Sequence, residues 1–237
     1  VAFVGGSLQP VGGHNLLDSV HFAVGSAAHV PWAILHDRSM IALGEGLRVR
    51  TSYPVLPWIG VILLGHGAGA LYRAEVPPEQ RQRYLALMGA GALAGFFLLR
   101  FLNVYGDRAW VEGGTGLATA MSFLNVTKYP PSLLFLLLTL GVGMLALGLL
   151  ERAREWAVLA CFGRVPLFFY VLHLYGLHLL YLAFVAVLGR TQGDRYGFVE
   201  VWPIWVVAGA ALVVLYLPCR WFAGVKQRSG AGWASYF

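Results

Sequence analysis

Apolar residues fall in five long blocks, over about 54–72, 84–101, 132–150, 165–188 and 203–219, and polar residues collect between them. Each block is near the length of roughly 20 residues that a helix needs to cross the hydrocarbon core of a bilayer. The blocks are too long and too uniformly apolar for the alternating strands of a barrel. Backbone hydrogen bonds must be closed within the segment in lipid, so helices are expected. The predicted fold class is all-α, a polytopic transmembrane helix bundle with about five complete spans. The opening VAFVGGSLQPVGG is too short to span and lacks the basic start and apolar core of a signal peptide. It reads as the last turns of a helix that begins before Val1. Residues 1–237 are thus expected to form a single transmembrane domain, the C-terminal portion of a larger one.

The links divide into two long ones, 14–53 and 102–131, and three shorter ones, 73–83, 151–164 and 189–202. The third block is introduced by Lys128, Tyr129, Pro130 and Pro131. Prolines suit a first helical turn because its amides have no intrahelical partner. A weak internal echo joins this start to an earlier one. Tyr53-Pro54 is followed by Gly65, Gly67, Ala70 and Leu71, and Tyr129-Pro130 by Gly141, Gly143, Ala146 and Leu147 at the same offsets. It would be a parallel repeat, and similar chemistry at two helix starts would produce it as well as a duplication would.

Composition supports the membrane reading: 58% of residues are hydrophobic and 12% charged, with a mean hydropathy of +0.67. Soluble domains carry about 25% charged residues. The net charge of +6 is not a nucleic-acid signal, since the arginines sit in links between apolar blocks. Nine Lys/Arg (Arg73, Arg81, Arg83, Arg152, Arg154, Arg164, Arg220, Lys226 and Arg228) fall in one set of short links and the tail. The other eight are spread over the two long links, the 189–202 link and Arg100. Positive residues concentrate in short cytoplasmic loops. The C-terminus is therefore expected in the cytoplasm and the two long links on the opposite side. Cys161 and Cys219 then lie near the reducing side, and no structural disulfide is expected. Asn125-Val126-Thr127 fits a glycosylation pattern but lies too close to the membrane.

The candidate chemistry lies mostly in the long links. His14, Asp18 and His21 would share one face of a helix, and a carboxylate beside an imidazole is a common general-base arrangement. The same letters fit an amphipathic surface helix, and a metal reading lacks a third and fourth ligand. Asn103, Asp107, Asn125 and Lys128 would hydrogen-bond a polar substrate at the membrane face, or serve as caps, turns and a snorkelling lysine. His173 and His178 fall inside a span, where ionisable groups are functional candidates. Five residues apart, they point about 140° away from each other, so no joint metal site is expected. His173, one turn after Tyr170, is the cavity candidate, and His178 would pair with Tyr175 or Tyr181. Arg164, at the cytoplasmic start of the same span, would meet a cofactor phosphate or lipid headgroups. His66, between Gly65 and Gly67, is expected to be structural.

GHNLLDSV, YPVLPWIGVILLG, LNVYGD, SFLNVTKYPPSLLFLLLTLG and FGRVPLFFYVLHLYGLHLL together closely resemble the C-terminal part of bacterial membrane proteins in the heparan-alpha-glucosaminide N-acetyltransferase-like group. The tail CRWFAGVKQRSGAGWASYF also resembles that group's ending. The resemblance implies a multi-pass transmembrane acyltransferase of the bacterial inner membrane. Acetyl-CoA or another acyl-CoA would be the donor substrate, with no covalently bound cofactor. The acceptor would be an amino or hydroxyl group of a sugar-like molecule across the membrane. The family's presumed catalytic histidine lies in earlier helices, and His29 in AAHVPW does not match that motif. The expected partners are the lipid bilayer, the small-molecule or sugar acceptor and, in an oligomer, further copies of the chain; no nucleic acid is expected. A transporter, or a remnant inert without its upstream helices, would share much of this pattern. The transporter reading calls for inverted repeats.

Overall fold

The computed structural model describes residues 12–42, 44, 46–151 and 157–229. The expected helix remnant at the start lies outside these residues. The described chain is helical, with two short strands. It forms two compact units, 1–152 and 153–237.

In the first unit a 3-10 turn, His14–Leu17, is followed by helix α1, His29–Leu35. Strands β1, Met40–Ala42, and β2, Arg48–Arg50, pair antiparallel with Ile41 opposite Val49. The link expected over 14–53 therefore has its own small fold. Four helices follow: α2, Val55–Ala68, extended by a 3-10 turn to Tyr72; α3, Pro78–Leu102; α4, Gly116–Leu124; and α5, Leu133–Leu150.

Their ends follow from the local sequence. Pro78 sits at the first position of α3, where its missing N–H costs nothing. Asn103 ends α3 in the left-handed conformation, φ 55°, with its N–H donating to Leu99 O at 3.0 Å. Thr115 caps α4 by accepting from Ala118 N, and Ser132 caps α5 by accepting from Phe135 N at 3.0 Å.

Helices α3 and α5 pack antiparallel along a glycine seam. A Cβ on Gly89 would lie 2.9 Å from the Gly141 carbonyl oxygen, and one on Gly141 would lie 3.2 Å from that of Gly89. At one end of the seam, Gln82 donates to Gly148 O at 2.9 Å and Arg81 pairs with Glu151. At the other end, Leu133 and Leu136 of α5 meet Leu99 of α3, Val61 and Leu64 of α2, and Tyr105. Helices α2 and α5 start at this same end, since the Tyr53 and Tyr129 hydroxyls are 3.0 Å apart. The two tyrosines of the sequence echo thus touch. The echoed glycines differ in role, because Gly141 is packed in the seam while Gly65 has nothing within 4 Å.

The second unit holds α6, Ala157–Arg164; α7, Pro166–Leu188; and α8, Trp202–Ser229. Its core joins Cys161 and Val165 to Cys219, Phe222 and Ala223, with Phe168 stacked on Phe222 at 4.3 Å. Both cysteines are free thiols. Helix α8 continues ten residues past the predicted end of its apolar block. The added turns carry Arg220, Lys226 and Arg228, which is why hydropathy alone stops short. Lys226 Nζ donates to Arg164 O at 3.0 Å and satisfies a carbonyl at the end of α6.

Five helical segments are long and apolar enough to cross a membrane: Val55–Tyr72, Pro78–Leu102, Leu133–Leu150, Pro166–Leu188 and Trp202–Arg228. Their large apolar side chains point outward, as with Ile62, Leu98, Leu149, Leu179 and Val213, all more than 60% exposed. Contiguous apolar surface of this extent calls for lipid. The chain is a multi-pass membrane protein.

Candidate functional site

Where α2 and α5 begin and α3 ends, residues 12–53 and 103–132 cover the helix ends. Three anchors close this cap. First, His14 is buried and its Nε2 donates to Pro131 O at 2.8 Å; a carbonyl only accepts, so the proton sits on Nε2. Asn15 Oδ1 accepts from Leu133 N at 2.9 Å, and the Tyr105 hydroxyl donates to Gly12 O. Burial, then the nearby Asp18 charge, push the Tyr105 phenol above its usual range.

Second, Asp107 gathers donors from both ends of its loop. Its carboxylate accepts from Thr127 N (2.7 Å), Thr127 Oγ1 (2.7 Å), Ser132 Oγ (2.6 Å) and Arg108 N (2.7 Å). Four short bonds fill a carboxylate's lone-pair sites. Third, Arg100 is 2% exposed and meets only carbonyls. Its guanidinium donates to Phe123 O (2.7 Å), Arg108 O (2.8 Å), Ser122 O (2.9 Å) and Asn125 O (2.9 Å), with the Phe123 ring also close.

Between these anchors lies a cleft of about 380 Å³, whose walls include Asp18, His21, His36, Asp37, Asp107 and Tyr129. His36 is 2% exposed, with its ring stacked on Trp32 at 5.1 Å and 17°. Its Nε2 donates to His14 O at 2.8 Å and lies 3.4 Å from Asp18 Oδ1. Its Nδ1 is 3.8 Å from Asp37 Oδ1, and His21 Nδ1 is 3.1 Å from Asp37 Oδ2. Two imidazoles and two carboxylates therefore interleave on one wall.

Tyr129, also on the cleft, is flanked by cations. Tyr129 carries the Arg38 guanidinium 5.6 Å and the Lys128 ammonium 5.1 Å from its ring centre. The Tyr53 hydroxyl, then Lys128, hold the Tyr129 phenol below the usual tyrosine range. Lys128 is raised in turn by its hydrogen bond to Tyr129. An absorbance titration at 295 nm is therefore expected to show one early-ionising phenol among the 11 tyrosines. Tyr129→Phe removes it, and Lys128→Ala moves it back toward the ordinary value near ~10. A Tyr129→Phe curve that overlays the native one would contradict the cluster.

The structure redistributes the sequence expectations. His14, Asp18 and His21 do not share a helical face, because the 3-10 turn ends at Leu17. Asp18 instead reaches His36, His21 takes Asp37, and His14 pins the cap. Asn103 does not line the cleft: its amide exchanges two 3.0 Å bonds with the Trp110 backbone. Asn125 is exposed and contributes its carbonyl to Arg100. Lys128 stands at the lip beside Tyr129, and Asp107 lines the cleft with its oxygens already bonded. Arg164 and His173 belong to the second unit. Arg164 is exposed there. His173 Nδ1 donates to Phe169 O at 3.1 Å, its ring stacked on Phe169 and edge-on to Tyr170. Beside His66, a Cβ added at Gly65 or Gly67 would meet nothing within 4 Å.

Sequence reasoning passed over His36, Asp37, Arg38 and Arg100 as site or cap residues. The run His36-Asp37-Arg38 was a usable signal in so apolar a chain, as was Arg100 inside FFLLRFL. Among the described residues no group of three His, Cys, Asp or Glu could hold a metal ion. No protein-family model, curated protein or solved structure matches the chain significantly.

Proposed function

We propose that the protein is a transmembrane acyltransferase that moves an acetyl or other acyl group from acyl-CoA to an amino or hydroxyl group of a sugar-like acceptor. The observation that carries this reading is the cleft, where imidazole–carboxylate pairs and a phenol flanked by cations lie together at the ends of three spans. Acyl transfer needs both kinds of group. A base must take the proton of the attacking nucleophile, and a donor or cation must meet the oxyanion that forms at the thioester carbonyl. The histidine–aspartate wall supplies the first, and Lys128 with Tyr129 the second. The motif resemblance and the distribution of loop positives agree with this assignment.

In this reading the membrane is a bacterial inner membrane, the C-terminus is cytoplasmic, and the cleft opens on the far side. Within the second unit, Arg164 is the candidate contact for the donor's phosphates at the cytoplasmic face, and His173 is a candidate within that unit's own span. The test is transfer of labelled acetyl from acetyl-CoA to an amino-sugar acceptor in proteoliposomes. The protein used includes whatever sequence precedes Val1 in its reading frame. Covalent acetylated product is expected. Movement of acceptor or donor across the bilayer without covalent product would replace this reading by a transporter.

A further inference from the structure

Among the described residues, His36 Nδ1, Trp58 Nε1 and Arg81 Nε are buried side-chain atoms without a hydrogen-bond partner, and of these only His36 Nδ1 lies in the cleft wall. The other ring nitrogen fixes the tautomer. Nε2 faces the His14 carbonyl at 2.8 Å and Asp18 Oδ1 at 3.4 Å, both acceptors, so the proton of a neutral ring is on Nε2. That leaves a bare lone pair on Nδ1, with another acceptor, Asp37 Oδ1, 3.8 Å away. A lone pair facing a carboxylate is mismatched. One added proton makes it matched, since both ring nitrogens then present donors to carboxylates. Buried unsatisfied groups in native proteins call for such a reason.

The surroundings are those of a site made to receive one proton. Asp18 faces His36 from the segment after the 3-10 turn, His14 from within that turn with ring centres 6.4 Å apart, and Asp37 from its own segment. His21 acts on it through Asp37 Oδ2. Trp32 covers a ring face with a π-system that also favours a cation. His36, Asp18 and Asp37 all line the same cleft.

We propose that Asp18, His36 and Asp37 form a proton-accepting site for a hydroxyl or neutral amine nucleophile bound in the cleft. The role in catalysis rests on the acyl-transfer reading. Asp37 touches the acceptor and is the catalytic residue, while His36 holds the proton behind it and Asp18 positions His36. For a hydroxyl, the O–H bond breaks, its proton passes by way of Asp37 to His36 Nδ1, and the oxygen's electron pair bonds to the thioester carbonyl carbon. For a neutral amine, the nitrogen lone pair forms that bond, and an N–H proton of the resulting ammonium then leaves by the same path. The C–S bond then breaks with its pair on sulfur, and the proton finally leaves His36 for the thiolate or water. No oxidant or reductant enters.

The test uses protein labelled with 15N-histidine in lipid nanodiscs, because 15N shifts report which ring nitrogen carries a proton. The His36 signals are identified by their loss in His36→Gln. In the neutral ring the proton is expected on Nε2 and not on Nδ1, and the reverse tautomer overturns the site. If His36→Gln does not fold, the His36 signals are identified by single replacement of each of the other six histidines. Asp37→Asn should lower kcat in the transfer assay, and full turnover in that variant also overturns the site. In the transfer assay, His36→Gln should lower kcat by about a hundredfold with KM little changed and abolish the acidic limb of the pH profile. An unchanged profile refutes the catalytic role. If native protein transfers nothing while the neutral His36 ring still carries its proton on Nε2, the acyltransferase reading falls and the geometry of the site stands.

Discussion

Arg100→Ala is expected to destabilise the protein by about 3–5 kcal/mol, because it strips four carbonyls of their charged donor at once. The guanidinium is 2% exposed and supplies donors to four carbonyls, those of Arg108, Ser122, Phe123 and Asn125. Bonds to charged groups contribute about 1.5–3 kcal/mol each, and buried carbonyls left without a donor add their own desolvation cost. The sum overstates the effect, because the mutant also removes a charge from a buried place. Helix α4 meets the end of α3 through this guanidinium and an aromatic cluster that includes Phe96 and Phe123. Arg100→Lys is the informative companion. Lysine keeps the charge but brings three donors from a single nitrogen, which cannot serve carbonyls spread around a planar fork. It should therefore recover less than half of the loss. Thermal unfolding in detergent, read by near-ultraviolet circular dichroism, gives the comparison. A lysine variant within about 1 kcal/mol of native would mean that charge, and not the fork, matters here.

Arg100 also marks the boundary of what was legible from sequence. Lipid forces each span to be contiguous, apolar and internally hydrogen-bonded, so five spans could be read from hydropathy alone. The same rule makes an arginine inside FFLLRFL anomalous, yet only folding reveals that its partners are carbonyls 8 to 25 residues further on. The loops obey no such one-dimensional rule. Spacing tied Asp18 to His14 and His21 through an assumed helix, but the turn stops at Leu17 and the chain instead brings His36 back across 18 residues. Asn103 shows how one residue type serves two roles. A side-chain amide near a membrane face suits a substrate, but after an apolar helix it equally suits a left-handed cap, and here it is the cap. The hairpin at 40–50 was illegible because three-residue strands leave almost no alternation to detect, and its pairing depends on closure of the whole segment. The glycines were legible as packing residues but not as partners, since only the helix register decides that Gly89 meets Gly141 while Gly91 meets nothing.

That register supplies a matched pair of substitutions. Gly89→Ala and Gly91→Ala place the same methyl group two residues apart on α3. Each gains the same helix propensity, up to about 1 kcal/mol over glycine. At Gly91 the new Cβ has nothing within 4 Å, so the change is expected to be neutral or mildly stabilising. At Gly89 it would lie 2.8 Å from Leu145 Cγ and 2.9 Å from the Gly141 carbonyl oxygen. Leu145 can rotate away, but the carbonyl belongs to the backbone of α5 and moves only if the helices separate. Overpacking of this kind costs about 1–3 kcal/mol, enough to outweigh the propensity gain. The difference between the two variants isolates the seam from the intrinsic preference of the helix. Separation at Gly89 would also reach the cleft, because Leu99 packs on Leu133 and Leu136 one seam-length further along, where α5 begins beside Asp107 and Tyr129. The Gly89→Ala protein should therefore unfold earlier than Gly91→Ala and lose the early Tyr129 ionisation in the same titration. Equal midpoints for the two variants would show that α3 and α5 are not held together at this crossing.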